Sequence, residues 1–284
     1  MAKNRKDEHY PVVRQGRMDL TGPSTTPQVE INIEQYLSKC NRRLYRQSRN
    51  YATKLDLDPD ATQTIDVFVL NDSWMTERAL KMAYSMYLEN SEDERSRLKE
   101  TAIARWEDFR VQSGVNFQQV NPVQFNNALA PVELTGGEFS TTTVEDNAGT
   151  TRSFSWSAGT ASKYSIIEEY DKAGNANAMP NTSTGDMPYD DLMADDSATM
   201  AANLQNKGNL PPYDANGVNG DRQWVKVATL GTGATQRLST GFFTAPCGIV
   251  LIKDQGGAIV QFGKLAWSVK SGDYKGVHAP SMLE

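Results

Sequence analysis

The sequence predicts a mainly β protein, an antiparallel β-sandwich with a helical insertion. Three observations carry that expectation. At least eight short runs rich in β-branched and aromatic residues are separated by Gly, Asn, Asp and Pro turns. Helical periodicity is confined to residues 32–51 and 73–112. The strand–helix alternation that an α/β enzyme needs is missing after residue 112. Among sandwiches a jelly roll leads. Another β-sandwich or an α+β domain are the alternatives.

Residues 1–31 contain Pro11, Pro23 and Pro27 and little apolar periodicity, so they read as an extended arm. A helix is expected over 32–51, where Ile33, Tyr36, Leu37, Cys40 and Leu44 keep a helical beat. Thr64–Leu70 reads as a strand. Residues 74–88 read as a helix capped by Asp72 or Ser73. Ser91-Glu92-Asp93-Glu94 has the capping-box pattern and opens a second expected helix to Val111.

Strands are then expected at Pro131–Leu134, Phe139–Val144, Thr151–Trp156 and Lys163–Tyr170. Residues 171–222 are poor in large apolar side chains and read as a long polar loop, with a short helix near 195–205. Strands resume at Trp224–Leu230, Leu238–Thr244, Gly248–Lys253, Ala258–Phe262 and Lys264–Val269. Residues 271–284 read as an extended C-terminal tail after a body spanning 32–270.

The 284-residue chain has a formal charge of −6 and a mean hydropathy of −0.57. That charge is uneven. Residues 1–54 carry eleven Lys or Arg against five Asp or Glu, a net of +6; the remainder carries −12. Two surfaces with different partners are expected. No apolar run approaches the roughly 20 residues a membrane helix needs. The opening MAKNRKDEHY lacks the apolar stretch of a signal peptide. Two cysteines make no disulfide framework, and two histidines leave most His-dependent catalytic and zinc schemes poorly supplied.

The motifs of phosphate-binding loops, zinc proteases and serine hydrolases are all missing. Gly231-Thr232-Gly233 is a turn fragment rather than a dinucleotide fingerprint. Two clusters remain. Asp186, Asp190, Asp191, Asp195 and Asp196 are candidate ligands for a divalent cation such as calcium, without the EF-hand spacing. The bland reading is a solvated acidic loop. Lys39, Arg42, Arg43, Arg46, Arg49 and Lys54 form a basic stretch with no acid among them, and Tyr45 and Tyr51 are interleaved. Such a strip suits nonspecific nucleic-acid binding, by charge to phosphates and by stacking to bases. It suits equally a protein interface or a plain solvated face.

A basic N-terminal region, a β-rich body, long polar loops and an extended tail together resemble the single jelly-roll capsid proteins of small icosahedral viruses. The stretch Trp224–Val269, with STGFFTAPCGIVLIKDQ and AIVQFGKLAWSVK, is similar to the last strands of such a protein. The resemblance is one of layout. It implies self-assembly of many copies into a closed shell enclosing a viral genome, with arms exchanged between subunits; a nucleic-acid-binding module or a tail or accessory virion protein is the alternative. From the missing motifs and apolar runs, the chain is expected to be non-enzymatic, with no membrane partner and no resident cofactor. One feature departs from the capsid layout: residues 1–17 hold only five basic residues and two acidic ones, and the strong patch lies at 39–54.

Overall fold

The computed structural model describes residues 11–18, 28–59, 64–98, 104, 106–115, 117–146, 148–157, 159–175, 223–231, 237–256 and 265–284. Strand β1 (Gln15–Met18) is followed by β2 (Gln28–Asn32), which runs directly into helix α1 (Ile33–Asn41). Strands β3 (Asn50–Leu57) and β4 (Ile65–Leu70) precede the long helix α2 (Trp74–Arg97). Six short strands come next: β5 (Gln118–Gln119), β6 (Pro122–Phe125), β7 (Pro131–Glu133), β8 (Thr143–Glu145), β9 (Thr151–Ser155) and β10 (Lys163–Ser165). Helix α3 (Ile166–Asn175) follows, and then strands β11 (Trp224–Leu230), β12 (Phe243–Pro246), β13 (Ile249–Asp254) and β14 (Leu265–Val269).

Two large sheets pack on each other. One has the order β12-β3-β14-β1-β6-β7 and is antiparallel throughout. The other, β11-β4-β13-β2-β5, is antiparallel except where β5 joins β2 in parallel. A small sheet, β10-β9-β8, lies in the long stretch between β4 and β11. The molecule is thus a mainly β domain with helices inserted between strands.

Alternation places the core. In β3 the side chains of Tyr51, Thr53, Leu55 and Leu57 are buried, while Ala52, Lys54 and Asp56 are half-buried. They meet Met18, Val29, Ile31, Ile65, Val67, Leu265 and Trp267 in one continuous apolar layer. Strand β13 breaks the alternation, with Ile249, Val250, Leu251 and Ile252 all buried. Val250 and Ile252 enter the layer between the sheets. Ile249 and Leu251 face the other way, onto Ala79, Leu80 and Ala83 of α2 and onto Phe109, Phe154 and Trp156. The four-residue apolar run exists because this strand is covered on both sides. Each such side chain contributes about 1.5–3 kcal/mol on burial.

Several expectations are corrected. The N-terminal arm is not wholly outside the body: β1 lies between β14 and β6, and Met18, Val29 and Ile31 are core residues. The helix expected over 32–51 ends at Asn41, because Arg42 takes a left-handed conformation (φ 53°, ψ 39°) and Asn50–Leu57 is a strand. In place of the two helices expected in 73–112 there is one helix to Arg97, and residues 107–113 are not helical. Ser91 lies inside that helix, and its hydroxyl donates to the Tyr87 carbonyl at 2.7 Å. Ser73 is the N-cap and accepts from the Thr76 N–H. The strand expected at Lys163–Tyr170 stops at Ser165 and gives way to α3. The C-terminal tail is extended but folded against its own body. Asn50 and Ala52 donate to the Pro280 and His278 carbonyls, and Val277, Ala279 and Met282 are buried. The strand expected at 258–262, the helix near 195–205 and most of the 171–222 loop lie outside the described residues.

Candidate functional site

The six basic residues do not share one helical face, because the helix stops before most of them. Lys39 is on α1, half-buried, and donates to Asn121 Oδ1 at 2.7 Å. Burial pulls its pKa down, with the Glu133 carboxylate opposing. Arg42 and Arg43 are exposed at the C-terminal end of α1. Arg46 sits 3.7 Å from Asp108. Arg49 lies over the Tyr274 ring, 3.7 Å from its centroid, and donates to the Ala279 carbonyl at 2.8 Å. Lys54 is on β3 and pairs with Asp56 at 2.7 Å. Arg49 therefore holds the C-terminal segment, and Lys54 belongs to the sheet.

The two interleaved tyrosines require a correction. Tyr45 and Tyr51 are both fully buried. The Tyr45 hydroxyl donates to the Lys275 carbonyl at 3.0 Å, and its ring meets Tyr274 edge-on. The Tyr51 hydroxyl donates to the Arg46 carbonyl at 2.6 Å. Neither ring offers a face to a base. Both are apolar bodies with a satisfied polar tip.

Lys39, Arg42 and Arg43 do come together, along one side of a cleft of about 690 Å³. Its other walls are the segment around Trp106 and the 134–140 loop, where Gly136 and Gly137 take positive φ (84° and 86°). Trp106 is 58 % exposed. Phe139 lies under two cations, with Lys39 Nζ at 5.6 Å and the Arg110 guanidinium at 5.0 Å from its centroid.

Behind this cleft is a buried ionic network. Arg110 Nη2 donates to Glu34 Oε1 at 2.7 Å, and its Nη1 is 3.7 Å from Asp108 Oδ2. Asp108 Oδ2 also accepts from the Gln47 N–H at 2.9 Å, and the Gln47 side chain brackets the Val111 backbone. Glu34 is fully buried, and its Oε2 has no hydrogen-bond partner. Burial pushes its pKa up to about 7 against the pull of Arg110. Burial raises Asp108 as well, opposed by the Gln47 N–H, Arg110 and Arg46. Nearby, Glu30 accepts from Asn32 and from the Ser113 hydroxyl, on the wall of a polar cavity of about 200 Å³.

Sequence reasoning missed Glu34, Trp106, Asp108, Arg110 and Phe139. One signal was present. In Asp108-Phe109-Arg110-Val111 the apolar residues alternate with charged ones, which is the period of an extended chain. Phe109 and Val111 face the α2 core, while Asp108 and Arg110 face Glu34 and Arg46. Cys40 and Cys247 are both unpaired thiols, and burial pushes Cys40 up to about 11. The five aspartates of the expected cation site lie outside the described residues. Among the described residues no three His, Cys, Asp or Glu side chains converge as a metal site, and no helix is long and apolar enough to cross a membrane.

No protein-family model matches the chain, and no curated protein or solved structure shows significant similarity to it.

Proposed function

We propose that this chain is a virion coat subunit, a jelly-roll protein that assembles in many copies into an icosahedral shell around a viral genome. The observation that carries the reading is the pairing of eight strands. Taken in chain order they are β1, β2, β3, β4, β11, β12, β13 and β14. The first pairs with the eighth, the second with the seventh, the third with the sixth and the fourth with the fifth. Every one of these pairs is antiparallel. Successive pairs alternate between the two sheets. This pairing order supports the jelly-roll reading, in which one long hairpin rolls up into two Greek keys.

Jelly rolls serve in capsids, lectins and cupins, so the step to a coat protein is by analogy of fold. Two features favour it. The space between the sheets is filled by apolar side chains such as Met18, Ile31, Leu55 and Trp267. Cations gather at one end of a chain whose remainder is strongly acidic. In this reading Lys39, Arg42, Arg43 and Arg46 face the particle interior. A second reading, a nucleic-acid-binding module that forms no shell, rests on the same cationic cleft.

Purified protein examined by negative-stain electron microscopy across salt and divalent-ion conditions is expected to show closed shells of uniform size. Monomers or dimers under every condition would reject the coat reading. Salt-dependent binding of nucleic acid by those monomers would then favour the module.

A further inference from the structure

We propose that Lys39 and Asn121 become joined by an intramolecular isopeptide bond, formed with loss of ammonia, with Glu133 as the acid–base group of the reaction. This inference stands apart from the coat reading and does not rest on it.

Three side chains form one hydrogen-bonded chain. Lys39 Nζ donates to Asn121 Oδ1 at 2.7 Å, and Asn121 Nδ2 donates to Glu133 Oε1. A primary amide thus lies between an amine and a carboxylate. Its oxygen faces the nucleophile, and its nitrogen, the leaving group, faces the base. Adding a C=O bond of about 1.2 Å to that 2.7 Å puts Asn121 Cγ within about 3.9 Å of Nζ. A small rotation of the lysine brings it to the attack distance of about 3–3.5 Å.

The fold holds the trio on three elements. Lys39 is one turn along α1 from Tyr36, whose hydroxyl donates to the Val120 carbonyl at 2.9 Å and fixes the helix against the residue before Asn121. Asn121 leads into β6, where Pro122 and Val123 are buried. Strand β7 pairs with β6, setting Glu133 opposite Val123, and the Leu134 N–H donates to the Pro122 carbonyl at 2.9 Å. That hairpin returns the carboxylate to the side of the amide.

The nucleophile is the neutral amine. Burial lowers the Lys39 pKa, with the Glu133 carboxylate opposing, so more of this amine is neutral than of a solvated lysine. Its lone pair forms a bond to Cγ while the carbonyl π pair moves to Oδ1. Glu133 takes the proton that the attacking nitrogen gives up and delivers it to Nδ2. The oxygen pair then returns, the Cγ–Nδ2 bond breaks with its pair on nitrogen, and ammonia leaves. One C–N bond forms and one breaks, and the step needs neither oxidant nor reductant. The product ties α1 to the β6–β7 hairpin across 82 residues of chain. Lys39 then carries no charge, which leaves Arg42, Arg43 and Arg46 as the cations of its neighbourhood.

The test is mass spectrometry of the purified full-length protein, fresh and after prolonged incubation at about pH 9, where more of the amine is neutral. The intact chain is expected to be short of its sequence mass by one ammonia, and a tryptic digest to contain a branched peptide joining Lys39 to Asn121. Lys39→Arg and Asn121→Ala should each restore the full mass. Glu133→Gln keeps an acceptor for the Asn121 amide but cannot move the proton, and is expected to slow formation at least about a hundredfold. The cross-linked parent should melt about 10 °C above the three variants, as closure of so long a loop implies. Full mass in the parent after incubation overturns the proposal. So does an ammonia deficit that maps to another asparagine. A branched peptide that forms as fast in Glu133→Gln would remove Glu133 from the reaction.

Discussion

Glu34 is held with one carboxylate oxygen on Arg110 and the other without a partner, inside the body. A Cβ on Gly248 would lie 2.6 Å from that unpartnered Oε2, so the glycine allows the acid to fit as well as supplying a positive φ of 69°. The Glu34 pKa of about 7 stands above the 4.5 of an unfolded chain, so the folded state holds this proton more tightly. Its contribution to stability is fully present below about pH 4.5 and is lost as pH rises through about 7. Asp108, also raised, acts in the same direction. Asp66 and Asp146 are depressed and act oppositely. For Asp66, burial raises the pKa but is outweighed by Lys226, Thr229 and Gln255; for Asp146, the Thr150 N–H leads. Their window lies below their ordinary value of 3.8, clear of that of Glu34. The urea midpoint is therefore expected to fall between about pH 5 and about pH 8, and Glu34→Gln to flatten that slope. Equal slopes in the two proteins would remove Glu34 as the cause.

Among the elements, α1 shows a conflict between stability and the proposed site. Its last turn hands over to Arg42 in the left-handed region, where glycine is the usual residue and a side chain is strained. Arg42→Gly relieves that strain and is expected to stabilise the protein by about 0.5–1 kcal/mol. For a chain of this size that is a rise of about 2 °C in Tm. The same substitution removes one of the cations proposed to face the genome and is expected to weaken salt-dependent nucleic-acid binding. A stabilised variant with weaker binding is the outcome to seek, by calorimetry and anisotropy on the same sample. A fall in Tm would mean that the Arg42 side chain makes contacts worth more than the strain.

In the whole molecule the two chain ends meet in one sheet, with Gln15 opposite Ser268 and Trp267 opposite Gly16. Strand β1 has a neighbour on each side, β14 and β6. Deleting residues 1–18 would leave both with an unpaired edge and take Met18 out of the core. The expected result is loss of the cooperative thermal transition by circular dichroism. A deletion that melts like the parent would show that β1 is dispensable. Pairing of such distant segments also implies slow refolding, on the millisecond-to-second scale of β-sandwiches or beyond it.

Much of the second half was legible because its pattern is local. Trp224–Leu230 is a strand with those very ends, though its register shifts between Lys226 and Ala228, and Thr151–Trp156 and Lys264–Val269 are shifted by one residue at most. Their periodicity records which faces are buried, a property each segment carries by itself. Asn50–Leu57 carried the same signal in Tyr51, Thr53, Leu55 and Leu57. Only Asn50 and Tyr51 fall within the helix expected over 32–51, and no element is expected over 52–57.

The sequence by itself determined the β character of the body, the cation-rich stretch and the start of α2 at Asp72 or Ser73, since each follows from residues within one or two turns of chain. Tertiary structure alone decided which cations share a surface. It took Tyr45 and Tyr51 into the core under the C-terminal segment, and it put Trp106 on the wall of a cleft that Arg42 and Arg43 also line. It also joined Glu34 to Arg110 across 76 residues. The physical reason is that apolar periodicity specifies a buried face but not what covers it. The partner of each face, and the charges carried to its rim, are set by strand pairing between segments whose sequences hold no mark of one another.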